Sequence, residues 1–277
     1  MTSIESFEQL NLIIKQFRES RGRILSNCYM MPAEINKHCA DGRVKAKVIG
    51  DWLIILFEYE DYTGLCYYTT AESTVPDFSP IFEQTEKSVM FDIIFRKGNG
   101  DHITSKKLID SGVAHHYKSY LHQMLYLENV NFQNFTLCEG YKVDWEYNNY
   151  EEFSALISEG LDVKSMQLPT KEKFQMVCSD KSGIFVTDEN GKLAATEILT
   201  YNGKTGFPLH LATSPNHRRK GLGMFVMEEL LRLCQRKGLK LLKCWIEKEN
   251  IPSLTLCHRL GYVEDGTVCE QYIMKGI

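Results

Sequence analysis

The chain has 277 residues, enough for one large or two modest domains, and its 43% hydrophobic and 25% charged content excludes wholesale disorder. Thirty-two Lys and Arg against thirty-six Asp and Glu leave a net charge of −4, which argues against a general polyanion-binding surface and a nucleic-acid partner. Apolar runs such as Trp52–Phe57 fall far short of the ~20 residues a membrane span requires, so no membrane partner is expected. The opening MTSIESFEQL carries early acids and no apolar core of a secretory signal, which predicts a cytoplasmic protein. Nine cysteines, an odd number in a long chain, read as reduced thiols. There is no CxxC or HExxH, and His115, His116 and His122 have no carboxylate or cysteine at ligand spacing, so no metal is expected.

In chain order, apolar residues at 4, 7, 10, 14 and 17 predict an amphipathic helix over 4–19, with Ser6 and Gln9 as a capping pair. Val44, Ala46 and Val48 alternate with basic residues, and Gly50-Asp51 turns them into the apolar strand 52–57. A second hairpin returns along Leu65–Thr70, a proline-bearing loop spans 73–87, and Val89–Phe95 is a strand ended by Gly98-Asn99-Gly100. A long helix is predicted from Ser105 to Leu127, weakened by Gly112, with the three histidines on it. Residues 128–141 lack a period and form the candidate linker. Beyond it come a strand near Val143, a helix near 150–159, a strand over 184–187, a turn over 188–191 and a strand over 193–200. Asn202-Gly203 closes a hairpin onto Phe207–Thr213. A helix opens near Gly221 and stops at Gly238; a strand at 239–246, a helix at 252–260 and a strand at 268–274 follow.

The chemistry concentrates in Leu211–Met224, LATSPNHRRKGLGM, where a strand runs through a basic, glycine-containing turn into a helix. A helix's first turn leaves backbone N–H groups unpaired and adds partial positive charge. Gly221 and Gly223 let a phosphate approach the main chain, and Arg218, Arg219 and Lys220 add formal charge. A pyrophosphate site follows; the plain alternative is a solvated basic turn. The Walker pattern is absent. The dinucleotide fingerprint fails at Val226, where its third glycine belongs, and too little chain remains for the rest of that fold.

The run Arg218-x-x-Gly221-x-Gly223, preceded by Leu211-Ala212-Thr213 and Pro215, resembles the acetyl-CoA loop of the GNAT superfamily of N-acetyltransferases. Asn250-x-x-Ser253-x-x-Leu256, followed by Leu260-Gly261-Tyr262, is similar to that family's second motif. The resemblance covers residue 141 to the C-terminus. It implies that main-chain groups of Leu211, Ala212 and Thr213 bond the pantetheine arm and that the amides of Arg219–Met224, Leu222 among them, hold the pyrophosphate. It also implies that Asn250 contacts the cofactor; the plain reading of Asn250 is a helix N-cap.

The departures matter as much as the match. Where many members carry the tyrosine that protonates the departing CoA thiolate, this chain has Cys257, followed by His258. A thiol can donate that proton or accept the acyl group itself, and its plain reading is core packing. The family's acidic or histidine positions on the strand before the loop fall on Phe207 and Leu209, which take no proton. His210 has the opposite parity and is expected in the core. Glu197, Glu247 and Glu249 remain weaker catalytic candidates, each with the plain reading of a surface carboxylate.

The expected fold is α/β with a mixed sheet: a GNAT fold over 141–277 and a smaller α/β domain over 1–140, in an order compatible with a degenerate copy of the same fold. By arrangement alone the chain is also similar to glycine N-acyltransferase-like proteins. The expected activity is transfer of an acetyl group from acetyl-CoA, as co-substrate, to a primary amine of a small molecule or peptide, with Cys257 and Glu197 as catalytic candidates. The alternative is a non-catalytic acyl-CoA-binding sensor or scaffold. Monomer and homodimer both remain open.

Overall fold

The computed structural model describes residues 1–96, 103–162 and 168–274. Its contacts divide the chain into two compact units, Met1–Ser119 with Thr267–Ile277, and Tyr120–Gly266.

The first unit begins with β1 (Thr2–Ser3) and α1 (Phe7–Glu19). Ser6 caps α1, its Oγ accepting from Gln9 N at 3.2 Å, while Gln9 Oε1 accepts from Glu5 N at 2.7 Å. Leu10, Ile14 and Phe17, one helical face, are buried. Two short elements that the periodicity did not reveal follow, β2 (Ile24–Ser26) and α2 (Pro32–Ala40). β3 (Val44–Ile49), β4 (Trp52–Glu58) and β5 (Thr63–Thr70) form the antiparallel meander, with every residue from Trp52 to Phe57 buried. After the four-residue α3 (Ser79–Phe82), β6 (Val89–Arg96) pairs parallel to β5, and α4 (Ile103–Asp110) follows. The turn expected at Gly98-Asn99-Gly100 lies outside the described residues.

The long helix expected over Ser105–Leu127 is corrected. It ends at Asp110, Gly112 takes φ +74°, and the chain continues as the thirteen-residue strand β7 (Ala114–Tyr126). Leu121, Gln123 and Leu125 are buried while His122 and Met124 are half-buried and Tyr126 is exposed, a period of two that outweighs helical spacing. His115 and His122 therefore project from opposite faces of a strand rather than sharing a helical face.

The rest of the chain follows a similar element order, without a counterpart of β2. β8 (Tyr141–Val143), α5 (Tyr150–Gly160) and α6 (Lys171–Ser179) lead into the meander β9 (Gly183–Asp188), β10 (Leu193–Asn202) and β11 (Thr205–Thr213). Then come α7 (Leu222–Arg236), β12 (Leu241–Glu247), α8 (Ile251–Leu260) and β13 (Val263–Met274). Aromatic packing of Phe153 and Phe174 on Phe185 and Tyr147 seals α5 and α6 against the sheet.

Within the first unit the strand order is β1-β3-β4-β5-β6-β13; within the second it is β8-β9-β10-β11-β12-β7. Each repeat thus ends in a strand that finishes the other repeat's sheet. β7 lines β12 from Tyr126↔Leu241 to Tyr120↔Glu247, and β13 lines β6 from Thr267↔Arg96 to Ile273↔Met90. The division falls differently from the 140/141 boundary, because 120–140 belongs by its contacts to the second unit. The stretch read as a linker is tied down there. Asn131 N donates to Leu260 O at 3.0 Å, and the buried Glu228 carboxylate accepts from Gln133 N and Phe135 N.

A fragment of residues 141–277 should therefore be poorly soluble and unfold without a sharp transition, because removing β7 strips the backbone partner from β12. Thermal unfolding of that fragment beside the full chain checks this.

Candidate active site

β11 and β12 run parallel but pair only at Thr205↔Leu241 and Gly206↔Leu242. Beyond those two pairs the ladder stops, so the β12-facing main chain of Phe207–Thr213 has no strand partner, which a ligand's amides can replace. On its other edge β11 is held by β10, with Ala212 opposite Thr196 and Thr213 opposite Ala195. A bulge there sets Glu197 against two residues, His210 and Leu211. His210 takes φ +59°, a left-handed conformation costly for a non-glycine residue.

The basic turn follows directly. Arg218 Nε donates to Thr213 O at 3.2 Å, and Lys220 Nζ donates to Tyr141 Oη at 2.7 Å, whose hydroxyl in turn donates to His217 Nδ1 at 2.8 Å. Arg218, Arg219 and Lys220 are exposed; Arg219 and Gly221 have left-handed φ of +62° and +79°. Gly221 is the N-cap of α7, and no side chain caps that terminus, so the amides of the first turn are presented outward. Leu222 and Met224 bury their side chains and offer only main chain. A Cβ at Gly223 would sit 3.4 Å from Leu256 Cδ1 and 3.6 Å from Thr213 Oγ1, so this glycine lines the floor between the strand and the helix. A Cβ at Gly221 would meet the Phe135 ring at 3.4 Å. Asn250 Oδ1 accepts from Ser253 N at 3.2 Å and caps α8.

The side chains sort onto two faces. On the α7 and α8 side lie Leu242, Cys244 and Ile246 of β12, with Cys257 of α8 in hydrogen-bond contact with Cys244. That bond and burial both push the Cys257 thiol well above the usual thiol range. Glu197 faces the same interior, near Cys234, Cys257 and Tyr262. The reading of Glu197 as a surface carboxylate is corrected. It is 5% exposed, its Oε2 has no hydrogen-bond partner, and burial raises its carboxyl to about 8. Glu249 is exposed and Glu247 half-buried. His210, toward Lys173, is buried as expected and held neutral, lowered to about 4 by burial first and Lys173 second.

On the opposite face lie Phe207 and Leu209 of β11, Lys243, Trp245 and Glu247 of β12, and Tyr120, His122 and Met124 of β7. His122 Nδ1–H donates to Asp265 Oδ2 at 2.8 Å, and its ring packs on Trp245 with centroids 4.7 Å apart. The sequence reading missed this pair, whose members lie 143 residues apart. Elsewhere His116 Nε2 bonds Ser119 Oγ and His115 is exposed; among the described residues no three His, Cys, Asp or Glu converge to hold a metal. All nine cysteines are free thiols, and among the described residues no helix is long and apolar enough to cross a membrane.

The first unit has the same divergence, with β5 and β6 paired only at Thr63↔Val89 and Gly64↔Met90, but there the gap is filled. β2 pairs with β5 from Ser26↔Tyr68 to Ile24↔Thr70. The buried Asn27 bridges the two strands: Nδ2 donates to Leu65 O and Asp92 O at 3.1 Å each, and Oδ1 accepts from Tyr67 N at 2.7 Å. Tyr29 Oη adds bonds to Ile94 O and from Ile94 N. The helix equivalent to α7 is α3, and the Asp77 carboxylate already accepts from Ser79 N at its start.

Glu197 sets a pH signature. A carboxyl near 8 in the native state binds its proton more tightly than in the unfolded chain, so stability is fully present below about 4.5 and declines as pH rises through 8. The depressed His210 acts oppositely, losing stability as pH falls from 6.5 to about 4, and Cys28, lowered to about 6, adds stability as pH rises from about 6 to 9. The Glu197 contribution is therefore read as a difference: between pH 6.5 and 8 the stability of Glu197→Gln should rise relative to wild type, as measured by urea midpoints of both proteins.

Residues 144–262 match the acetyltransferase (GNAT) family. A GCN5-related N-acetyltransferase from Sphaerobacter thermophilus superposes with a TM-score of 0.57 at 12% identity, covering 82% of this chain and 78% of the other. A tandem GNAT protein from the clavulanic acid biosynthesis pathway gives 0.53 at 13%, covering 83% and 80%. A GCN5-related N-acetyltransferase from Kribbella flavida gives 0.53 at 14%, covering 84% and 90%. At such identities the likeness speaks for the fold. The chain has the GNAT fold, and its residues 144–262 are a domain of the acetyltransferase (GNAT) family.

Proposed function

We propose that the second unit transfers an acetyl group from acetyl-CoA to a primary amine of a small molecule or peptide. The observation that carries this reading is the unfilled gap between β11 and β12 leading to the uncapped N-terminus of α7. Main-chain groups of Leu211, Ala212 and Thr213 along that gap suit the amides of a pantetheine arm. The amides of Arg219–Met224, with Gly221 and Gly223 keeping the approach open, suit a pyrophosphate, and Arg218, Arg219 and Lys220 add charge. Asn250 holds the start of α8 in place through its cap.

Acetyl-CoA would supply an activated thioester whose carbonyl carbon accepts the amine. The raised pKa keeps Cys257 a thiol, a weak nucleophile, which argues against acyl carriage; the same shift makes it a weak acid, so its place as proton donor rests on its position in the chain. Glu197, protonated at neutral pH, enters as a second acid behind it on that face rather than as a base. A sensor that binds acyl-CoA without turnover is the competing reading, favoured by the apolar Phe207 and Leu209 at the strand positions where a base would stand.

Gly223→Val should abolish acetyl-CoA binding by calorimetry at little cost to the fold, since its backbone φ is ordinary and its neighbours are side-chain atoms. Unchanged affinity would defeat the site assignment. Titration of the intact protein should saturate at one CoA per chain, given that Asn27 and Asp77 already satisfy the equivalent groups in the first unit; two per chain would refute it. Cys257→Ala should lower turnover ~10²-fold with unchanged affinity. Its rate is read as CoA release with β-phenethylamine, spermidine and a lysine peptide as acceptors, and wild-type binding without release would favour the sensor.

A further inference from the structure

We propose that His122, held by Asp265, is the general base that takes a proton from the acceptor amine. The proposal rests on the acyl-transfer reading and supplies the group that reading lacks, because the strand positions suited to a base carry Phe207 and Leu209.

Three observations converge. First, Asp265 Oδ2 accepts the Nδ1 proton of His122 at 2.8 Å. A carboxylate only accepts, so this bond sets the tautomer and leaves the lone pair on Nε2. It also stabilises the imidazolium formed when Nε2 takes a proton, the role an aspartate plays beside a catalytic histidine. Second, the pairing places His122 directly opposite Trp245, three residues beyond the last pair that β12 makes with β11. His122 therefore stands across β12 from the gap, one strand removed, on the face that also carries Trp245 and Phe207. Third, it is on the face opposite Cys257. An amine attacking a thioester and a thiolate leaving it occupy different sides of the carbonyl carbon, so acid and base on opposite faces of one gap match the reaction's geometry.

The surroundings suit an ammonium on an apolar body. Trp245 and Phe207 are exposed on this face, 38% and 36%, and offer ring surface. The titratable groups on this face include Asp265 from β13, Lys243 and Glu247 from β12, and Lys118, Tyr120 and Tyr126 from β7, with Lys173 of α6 close to His210 on the Leu209 side.

The step balances as follows. The acceptor ammonium gives one proton to His122 Nε2, and the freed lone pair forms the C–N bond at the carbonyl carbon. The C–S bond breaks with its electron pair on the CoA sulfur, which takes the Cys257 proton. The second nitrogen proton restores the Cys257 thiol through water, and the His122 imidazolium returns its proton to solvent.

The test measures CoA release by chromatography in full-length protein, with β-phenethylamine, spermidine and a lysine peptide as acceptors, alongside acetyl-CoA calorimetry. His122→Gln should lose ~10²-fold or more in kcat and lose the acid limb of the pH–rate profile, with acetyl-CoA affinity within about twofold of wild type. Asp265→Asn should lower kcat more than it raises KM and displace that limb. Added imidazole should restore part of the turnover of His122→Ala, which a packing role would not allow. Wild-type kcat with an intact acid limb in His122→Gln would overturn the base assignment alone. So would a folded, inactive His122→Ala that imidazole does not rescue. Wild-type protein that binds acetyl-CoA yet releases no CoA with all three amines would overturn the transferase reading, and the base with it.

Discussion

The second unit depends on a parallel strand pair that is left unfinished. Backbone N–H and C=O groups in a protein interior are nearly always bonded, and an orphaned pair costs as much as several good contacts supply. β11 and β12 satisfy this requirement for two residue pairs and then separate. The bulge at Glu197 and His210 lets β11 remain bonded to β10 while its direction changes. β12 is kept straight by seven consecutive pairs with β7. The gap is thus built by what holds each strand on its far side, and its open groups are those that the proposed pantetheine arm would bond.

The first unit shows what the same divergence requires when no ligand takes part. Asn27 supplies both a donor and an acceptor to the strands that separate, and Tyr29 repeats the device further along. A side-chain amide is chemically the group that a pantetheine arm would bring, so the substitution is close to like for like. At the helix start, Asp77 places a carboxylate where an anion would sit. The first unit has the same strand divergence, occupied by its own residues. The turn before α3 carries no glycine or arginine, and an amide terminus already capped by Asp77 has no need of them.

What was legible in the sequence was local. The turn from Thr213 to Met224 could be read because Gly221, Gly223 and three cations announce a function within a few residues. The same is true of the caps at Ser6 and Asn250 and the hairpin at Asn202-Gly203. The helix assigned to Ser105–Leu127 failed because Gly112 breaks it and the tyrosine-rich remainder alternates with a period of two, a signal that was present and outweighed by the apolar count. α2 and α6 are nine residues each, and each buries only two residues, so they leave a faint periodicity. The interior place of Glu197 was hidden for another reason: a carboxylate's exposure is set by neighbours such as Cys234 and Cys257, which only the fold brings near. The exchange of β7 and β13 between sheets, and the His122–Asp265 pair that depends on it, join residues remote in sequence and have no local signature at all.

That exchange also explains why the base would come from an unexpected strand. A sheet that completes itself with its own last strand would set that strand's residues beside β12. Here the neighbour is β7, so the side chains alternating across from Trp245 and Cys244 are His122 and Gln123. Because a strand's faces alternate strictly, the register Trp245↔His122 brings the histidine to the face carrying Phe207 and Leu209; a slip of one residue would bury it toward α8 and expose Gln123. Asp265, near the start of β13, holds the histidine on that face by a hydrogen bond to Nδ1. The strand that closes the second unit's sheet is therefore also the one that decides which side chain lies across β12 from the gap.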